Sequence, residues 1–430
     1  MDGRSGRFSM NLFTRKSRTY HDPIHGAISL SGSDPAEALL IGLIDAPEFQ
    51  RLRRIRQLDV AALTFHGAEG SRFTHSLGVL AIARRVFDRL APRYPMLAPF
   101  RAVALCGALL HDIGHGPYSH ASEHIFDYDH ERWTRRILSG STHIARLLEA
   151  FDPQLPSQLC AVLDKTHPVA ALTQLVSGQL DCDRLDYLLR DSYFTGARYG
   201  QLDLDRIIHA LDYDPPTQSL VLSGRKQMVA IEHYLVVRHF MYSQVYHHPK
   251  NMAARFILQQ ALALAAHYAR RGELEVDEDM KAWLVQEVDR LALPTYLACD
   301  DTVLGYHLHR WRTHPDPILG DLCRRFLDRD LFKTVEVTAL GELHRQFVLN
   351  RLRAAVAATG RPPEHYCALQ DTQAKGYTLY EQGIFLRDGA QLRELADASL
   401  LVRSLIQPEI RLWLVYPREV QSEVQKLMGS

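Results

Sequence analysis

Two observations predict a mainly α fold with a smaller C-terminal α+β region. Apolar residues recur at three-to-four spacing through most of 34–281, and beyond about residue 331 short β-rich runs replace that pattern. No internal repeat or low-complexity tract is evident, which argues against a solenoid.

The periodicity predicts helices over 36–43, 49–58, 75–90, 100–110, 130–138, 168–175, 182–190, 204–211 and 228–246. Asp45-Ala46-Pro47, Gly67 with Gly70, Gly116-Pro117 and Asp214-Pro215-Pro216 break them apart, and Asp45 reads as an N-cap ahead of Pro47. Residues 219–223 alternate as a short strand beside the Gly224 turn. Near the C-terminus 332–337, 365–369, 384–386 and 410–415 read as strands, with a helix over 343–358. Three regions follow: a basic tail over 1–19 expected to be disordered, a helical body over 20–330, and the α+β region over 331–430.

Lys+Arg and Asp+Glu balance at 50 each, so no global field draws the chain to nucleic acid or an anionic membrane, and any anion must be met by a local site. The six cysteines are scattered and none forms a CxxC pair, which argues against both a disulfide framework and a thiolate zinc site. No run approaches the ~20 apolar residues of a spanning helix. The expectation is a soluble, cytoplasmic protein.

From Leu110 to His120 the chain carries His111, Asp112, His115 and His120 at the end of an apolar run. A packed core has no use for them, whereas an imidazole and a carboxylate side by side suit a divalent ion such as Mn, Fe or Zn. Any single one of the 22 histidines reads as a packed or surface residue; the cluster is what points to metal. His111 and His115, four apart, are expected to share a helix face, with Gly114 and Gly116 ending the helix. His120 followed by Glu123 offers an imidazole held protonated by a carboxylate, as a general acid requires. Further ligands must come from elsewhere, and His75 and Asp183 are the candidates.

Together with Asp22-Pro23-Ile24-His25-Gly26, the Phe49–Leu58 motif, Arg72–Gly78, Asp183–Asp191 and Arg329-Asp330-Leu331-Phe332-Lys333, these stretches resemble the HD superfamily of metal-dependent phosphohydrolases. Within it they resemble the deoxynucleoside triphosphate triphosphohydrolases, the bacterial relatives of the mammalian sterile-alpha-motif/HD-domain enzyme. The resemblance runs over roughly 22–333, with a weaker match at 412–419.

The resemblance implies an HD-domain helical fold with its metal core in about 49–191, and the metal ligands His75, His111, Asp112 and Asp183. It implies hydrolysis of a dNTP to deoxynucleoside and inorganic triphosphate, with one transition metal in the HD site and Mg²⁺ on the triphosphate. His120 with Glu123 would be the acid, and His115 and His130 would face phosphate. Arg72, Arg184 and Lys250 would bind the phosphates, Arg184 standing where the mammalian enzyme has lysine. Gln57, Leu58, Tyr187, Asp191 and Tyr246 would hold the sugar. Asp45, Gln50, Arg53, Arg329 and Lys333 match a second site for a dGTP, GTP or dNTP activator, in a homo-oligomer of two, four or six chains. Two other readings stand beside this one. One is an HD phosphohydrolase acting on another phosphate ester (a ribonucleotide, modified nucleotide, alarmone or nucleic-acid end). The other is a nucleotide-sensing or nucleic-acid-binding scaffold.

Overall fold

The chain opens with an antiparallel hairpin, β1 (Arg18–Asp22) and β2 (Gly26–Leu30), whose turn is Asp22-Pro23-Ile24-His25-Gly26. This is seen in a computed structural model that describes residues 16–379, 383–389 and 391–429. Residues 1–15 of the predicted tail lie outside the described residues. Arg18 and Thr19 are strand rather than tail, because they pair with Leu30 and Ser29.

The body is helical: α1 (Pro35–Asp45), α2 (Pro47–Arg51), α3 (Arg72–Leu90), α4 (Arg101–Leu110), α5 (His120–Phe126), α6 (His130–Ser139), α7 (His143–Phe151), α8 (Leu155–Leu163), α9 (Ala170–Val176), α10 (Cys182–Thr195) and α11 (Leu204–Ala210). β3 (Leu211–Asp214) and β4 (Ser219–Leu222) interrupt the helices before α12 (Met228–Met241), α13 (Pro249–Arg271), α14 (Glu278–Val285), α15 (Leu293–Ala298), α16 (Asp301–Trp311) and α17 (Pro317–Leu327). Polar caps start the elements that matter for the site. Ser71 accepts from Thr74 N ahead of α3, Asp129 from Glu131 N ahead of α6, and Asp181 from Arg184 N ahead of α10.

Several boundaries differ from the sequence prediction. Asp45 ends α1 instead of capping α2; Ala46 holds the cap position, and Asp45 pairs with Arg18 at 3.2 Å. The predicted 49–58 helix stops at Arg51 and tightens into a 3₁₀ turn. Beyond it Arg72 N donates to Ile55 O (2.9 Å) and Gln57 N to Gly70 O (2.8 Å), so backbone groups a helix would use are spent on a crossing chain. The predicted 228–246 helix widens into a π turn at Tyr242–Tyr246. Residues Pro363–Tyr366 form a helical turn, and the strand predicted from 365 begins only at Ala368.

The C-terminal region supplies β5 (Lys333–Glu336), α18 (Glu342–Ala358), β6 (Ala368–Ala374), β7 (Phe385–Asp388), β8 (Gln391–Glu394) and β9 (Glu409–Tyr416). β5, β9 and β6 make one antiparallel sheet, while β7 pairs in parallel with β4 of the body. The region is therefore built into the body from residue 385 on. One apolar core gathers α1, α3, α4, α10 and α12, and a second gathers α13 to α17 with the β5–β9–β6 sheet. The stretch from Ile113, in the first core, to Tyr128, in the second, runs between them. Among the described residues no helix is long and apolar enough to cross a membrane.

Candidate metal centre and acid cluster

Helix α3 packs against both α4 and α10. It comes close because residue 78 is glycine: a Cβ there would stand 1.9 Å from Asp186 Oδ1. This packing sets His75 in the first turn of α3, His111 and Asp112 just past α4, and Asp183 in the first turn of α10. α4 ends at Leu110 with His111 as its C-cap, so His111 and His115 do not share a helix face. The chain is drawn off the helix by Gly114 N, which donates to Thr134 Oγ1 at 3.0 Å, and a Cβ at Gly114 would meet His130 O at 2.1 Å.

His75, His111 and Asp183 each bring a ligand atom within 4.8 Å of the others. His75 Nε2 is 3.0 Å and His111 Nε2 3.6 Å from Asp183 Oδ1, yet both nitrogens are buried without a hydrogen-bond partner. Each ring is fixed through its other nitrogen: His75 Nδ1 bonds Asp186 Oδ2 at 2.8 Å and His111 Nδ1 donates to Ala108 O at 2.9 Å. With a proton held at Nδ1, each ring in its neutral form would present a lone pair at Nε2, the form a cation selects over the proton. Two lone pairs and a carboxylate oxygen converging with no donor between them fit a divalent cation. Asp112 stands beside them: its Oδ1 lies 3.4 Å from both His111 Nε2 and His115 Nε2, and its Oδ2 accepts from Arg72.

Burial opposes ionisation of Asp112, but Arg72 and then His111 outweigh it and hold the carboxyl well below the usual range. Burial likewise disfavours the Asp183 anion, and His111 and His75 reverse that, lowering its pKa. His75 and His111 are raised despite burial by the same carboxylates, with Asp186 adding to the effect on His75.

Behind His75 lies a buried charge chain. Asp186 accepts from Arg190 Nε at 2.8 Å and bonds His25 Nε2 at 2.6 Å, and Arg190 reaches Asp22 at 2.8 Å. Asp22 in turn accepts from Ile24 N and His25 N, both at 2.9 Å, so the hairpin turn is anchored through Arg190 and Asp186 to His75. Asp186→Asn keeps the shape and removes the charge that fixes the His75 tautomer. Metal affinity measured by equilibrium dialysis is expected to fall about 10–100-fold; unchanged affinity would count against the role.

His115, His120, Glu123 and His130 form a second cluster within 4.8 Å. Glu123 joins it: His120 Nδ1 lies 2.5 Å from its Oε2, and its Oε1 bonds His130 Nδ1 and accepts from His130 N at 2.9 Å. The two histidines outweigh the burial that would otherwise protonate Glu123 and hold its pKa far below the usual range. His130 is raised by Glu123 against burial, whereas burial, Arg72 and His130 drive His115 well below its usual value. Neutral His115 stacks on His130, centroids 3.8 Å apart. Arg72 Nε bonds Ser119 Oγ at 3.0 Å, tying this loop to Asp112.

Among the predicted sugar-binding residues, the Tyr187 and Tyr246 rings meet edge to face at 5.8 Å. Tyr246 donates to Asp191 at 2.9 Å, and burial pushes the Asp191 carboxyl up to about 7. Gln57 Oε1 is buried without a partner, and Leu58 is half-buried. Arg184 Nη1 is committed to Asp181 at 2.5 Å and to Gly178 O, though its Nε is unpartnered. Lys250 is exposed at the start of α13, where its backbone N donates to His248 Nδ1 at 3.2 Å. Gln50 donates to Ile44 O (2.7 Å) and accepts from Arg53 (2.8 Å), near Asp45 at the α1–α2 junction. Arg329 donates to Leu63 O at 2.5 Å and Lys333 opens β5; no hydrogen bond or ion pair among the described residues joins them to Asp45, Gln50 or Arg53.

Sequence reasoning missed Asp186, His25, Arg190 and Arg238. Arg238 is a buried cation on the mostly apolar α12, its Nε unpartnered, and with Arg184 and Lys165 it lines a cavity of about 280 Å³. A lone arginine among apolar neighbours was the available signal.

Residues 72–168 match the HD domain family. The chain is 35% identical to the uncharacterized protein YwfO of Bacillus subtilis, over 91% of this chain and 89% of that one. It is 34% identical to the deoxynucleoside triphosphate triphosphohydrolase SAMHD1 of Danio rerio, over 46% of this chain and 36% of that one. A crystal structure of a phosphohydrolase from Bacteroides thetaiotaomicron superposes with a TM-score of 0.82 at 28% identity, over 94% of this chain and all of that one (100%).

Proposed function

The chain belongs to the HD-domain family that includes the deoxynucleoside triphosphate triphosphohydrolases, and from that premise we propose that it hydrolyses dNTPs to deoxynucleoside and inorganic triphosphate. The coarser statement, that it is a metal-dependent phosphohydrolase, comes with the family. The observation that carries the finer one is the acid cluster of His120, Glu123 and His130 set beside the metal-facing Asp112 through neutral His115.

His75, His111, Asp112 and Asp183 would hold a divalent ion such as Mn, Fe or Zn. When bound, it supplies Lewis acidity toward a phosphoryl oxygen and lowers the pKa of water. Arg72, His115 and His130 meet the phosphates nearest the break, and Arg184 and Lys250 meet the outer ones together with Mg²⁺. His120 carries its proton toward the departing 5′-oxygen, with Glu123 holding the ring at Nδ1 and leaving Nε2 to donate. Gln57 takes the 3′-hydroxyl, and Leu58, Tyr187, Asp191 and Tyr246 close around the deoxyribose so that a 2′-hydroxyl has no room. Asp45, Gln50 and Arg53, completed by Arg329 and Lys333 of a neighbouring copy, would take a dGTP, GTP or dNTP activator in a homo-oligomer.

Another phosphate ester remains the second reading, and one observation favours it: Arg184 is already paired with Asp181 and Lys250 is exposed, which thins the cationic grip on a triphosphate. A panel of dNTPs, NTPs and short DNA with Mn²⁺ or Mg²⁺ separates the two. Triphosphate release from dNTPs is expected, rising on addition of dGTP or GTP. Monophosphate or pyrophosphate as the product would overturn the dNTP reading.

A further inference from the structure

The acid cluster has the composition of a metal site in its own right. Three imidazoles and one carboxylate, all from 115–130, bring their donor atoms within 4.8 Å of one another. Glu123 is the hub: its Oε2 is 2.5 Å from His120 Nδ1 and 4.0 Å from His115 Nδ1, and its Oε1 bonds His130 Nδ1. His115 is fully buried, and neither of its ring nitrogens has a hydrogen-bond partner. The frame is rigid. His115 and His130 stack within 13° of parallel, His130 N donates to Glu123 Oε1, and the start of α6 packs directly on Gly114, where a Cβ would meet His130 O. His120 is 57% exposed at its side chain, which gives an ion a way in.

We propose that His115, His120, Glu123 and His130 form a second, inhibitory site for a borderline-soft divalent ion such as Zn²⁺, separate from the His75–His111–Asp183 set. An N₃O donor set suits Zn²⁺, Co²⁺ or Ni²⁺ and does not suit Mg²⁺, which prefers an oxygen shell. A cation seated there displaces the protons that bridge Glu123 to His120 and His130. His120 then meets the metal through Nδ1 and keeps only the Nε2 proton of a neutral imidazole, a far weaker acid than the imidazolium that would protonate the departing oxygen. The binding stands on the cluster's geometry alone, and only the inhibition rests on the reading of His120 as the acid.

The test is equilibrium dialysis of the untagged, chelator-stripped full chain against Zn²⁺, with bound metal counted, and against Co²⁺, with the visible spectrum recorded. Two ions per chain are expected. His111→Ala should keep one, together with the intense bands of low-coordinate Co²⁺, and Glu123→Gln or the Glu123→Gln/His130→Ala pair should lose that one and its bands. A thermal melt on each variant confirms folding, and the near-isosteric Glu123→Gln guards against loss of structure. Filling the second site is expected to cut hydrolysis about 100-fold or more. A single ion in the wild type, or a second one that survives the Glu123→Gln/His130→Ala pair, would overturn the site. Zn²⁺ bound there with the rate unchanged would overturn the inhibition and, with it, the assignment of His120 as the acid.

Discussion

His111→Ala is expected to abolish hydrolysis, by about 10³-fold or more, while the fold survives. The magnitude follows from what is lost: Lewis acidity and an acidified water are together worth several kcal/mol at the transition state. The fold should hold because the side chain's one hydrogen bond is to Ala108 O within the same turn, while the backbone O that accepts from Thr134 Oγ1 on α6 is kept in the variant. The control is Asp112→Ala, which should be equally inactive but less stable, since it leaves the buried Arg72 guanidinium without its carboxylate. Metal counting and a thermal melt on both variants check the pair. Full activity in His111→Ala would remove the ion from the mechanism.

His120→Gln is expected to lower kcat by about 10²–10⁴-fold with KM and HD-site metal content near wild type. The side chain is 57% exposed and its one polar contact is Glu123, so its removal costs the fold little. The loss should depend on the leaving group. A substrate whose leaving oxygen needs no proton, such as a nitrophenyl phosphodiester, should be cleaved at a rate close to wild type. An equal loss on both substrates would show that His120 only shapes the pocket.

How far the sequence could be read follows from how local each feature is. His111, Asp112, His115, His120, Glu123 and His130 sit in one stretch, and their residue types alone mark them as a centre of chemistry. Nothing local to His75 or Asp183 makes either a ligand, so their place came from the resemblance; the α3–α4–α10 packing brings them together. The His25–Asp186–Arg190–Asp22 chain was not legible, because it joins positions far apart in the sequence through buried ion pairs that carry no periodicity. Helix ends were misread where side chains override propensity. His111 and His115 satisfy a helical spacing, yet the bond from Gly114 N to Thr134 turns the chain away. The pairing of β7 with β4, which ties the region beyond 331 into the body, is a long-range event that pattern cannot foresee.

The most direct test is hydrolysis of a dNTP by the metal-loaded chain in ¹⁸O-water, with both products analysed by mass. Attack at the α-phosphorus predicts one ¹⁸O in the inorganic triphosphate, none in the deoxynucleoside, and no nucleoside monophosphate. Label in a monophosphate released with pyrophosphate, or in orthophosphate, would contradict the account.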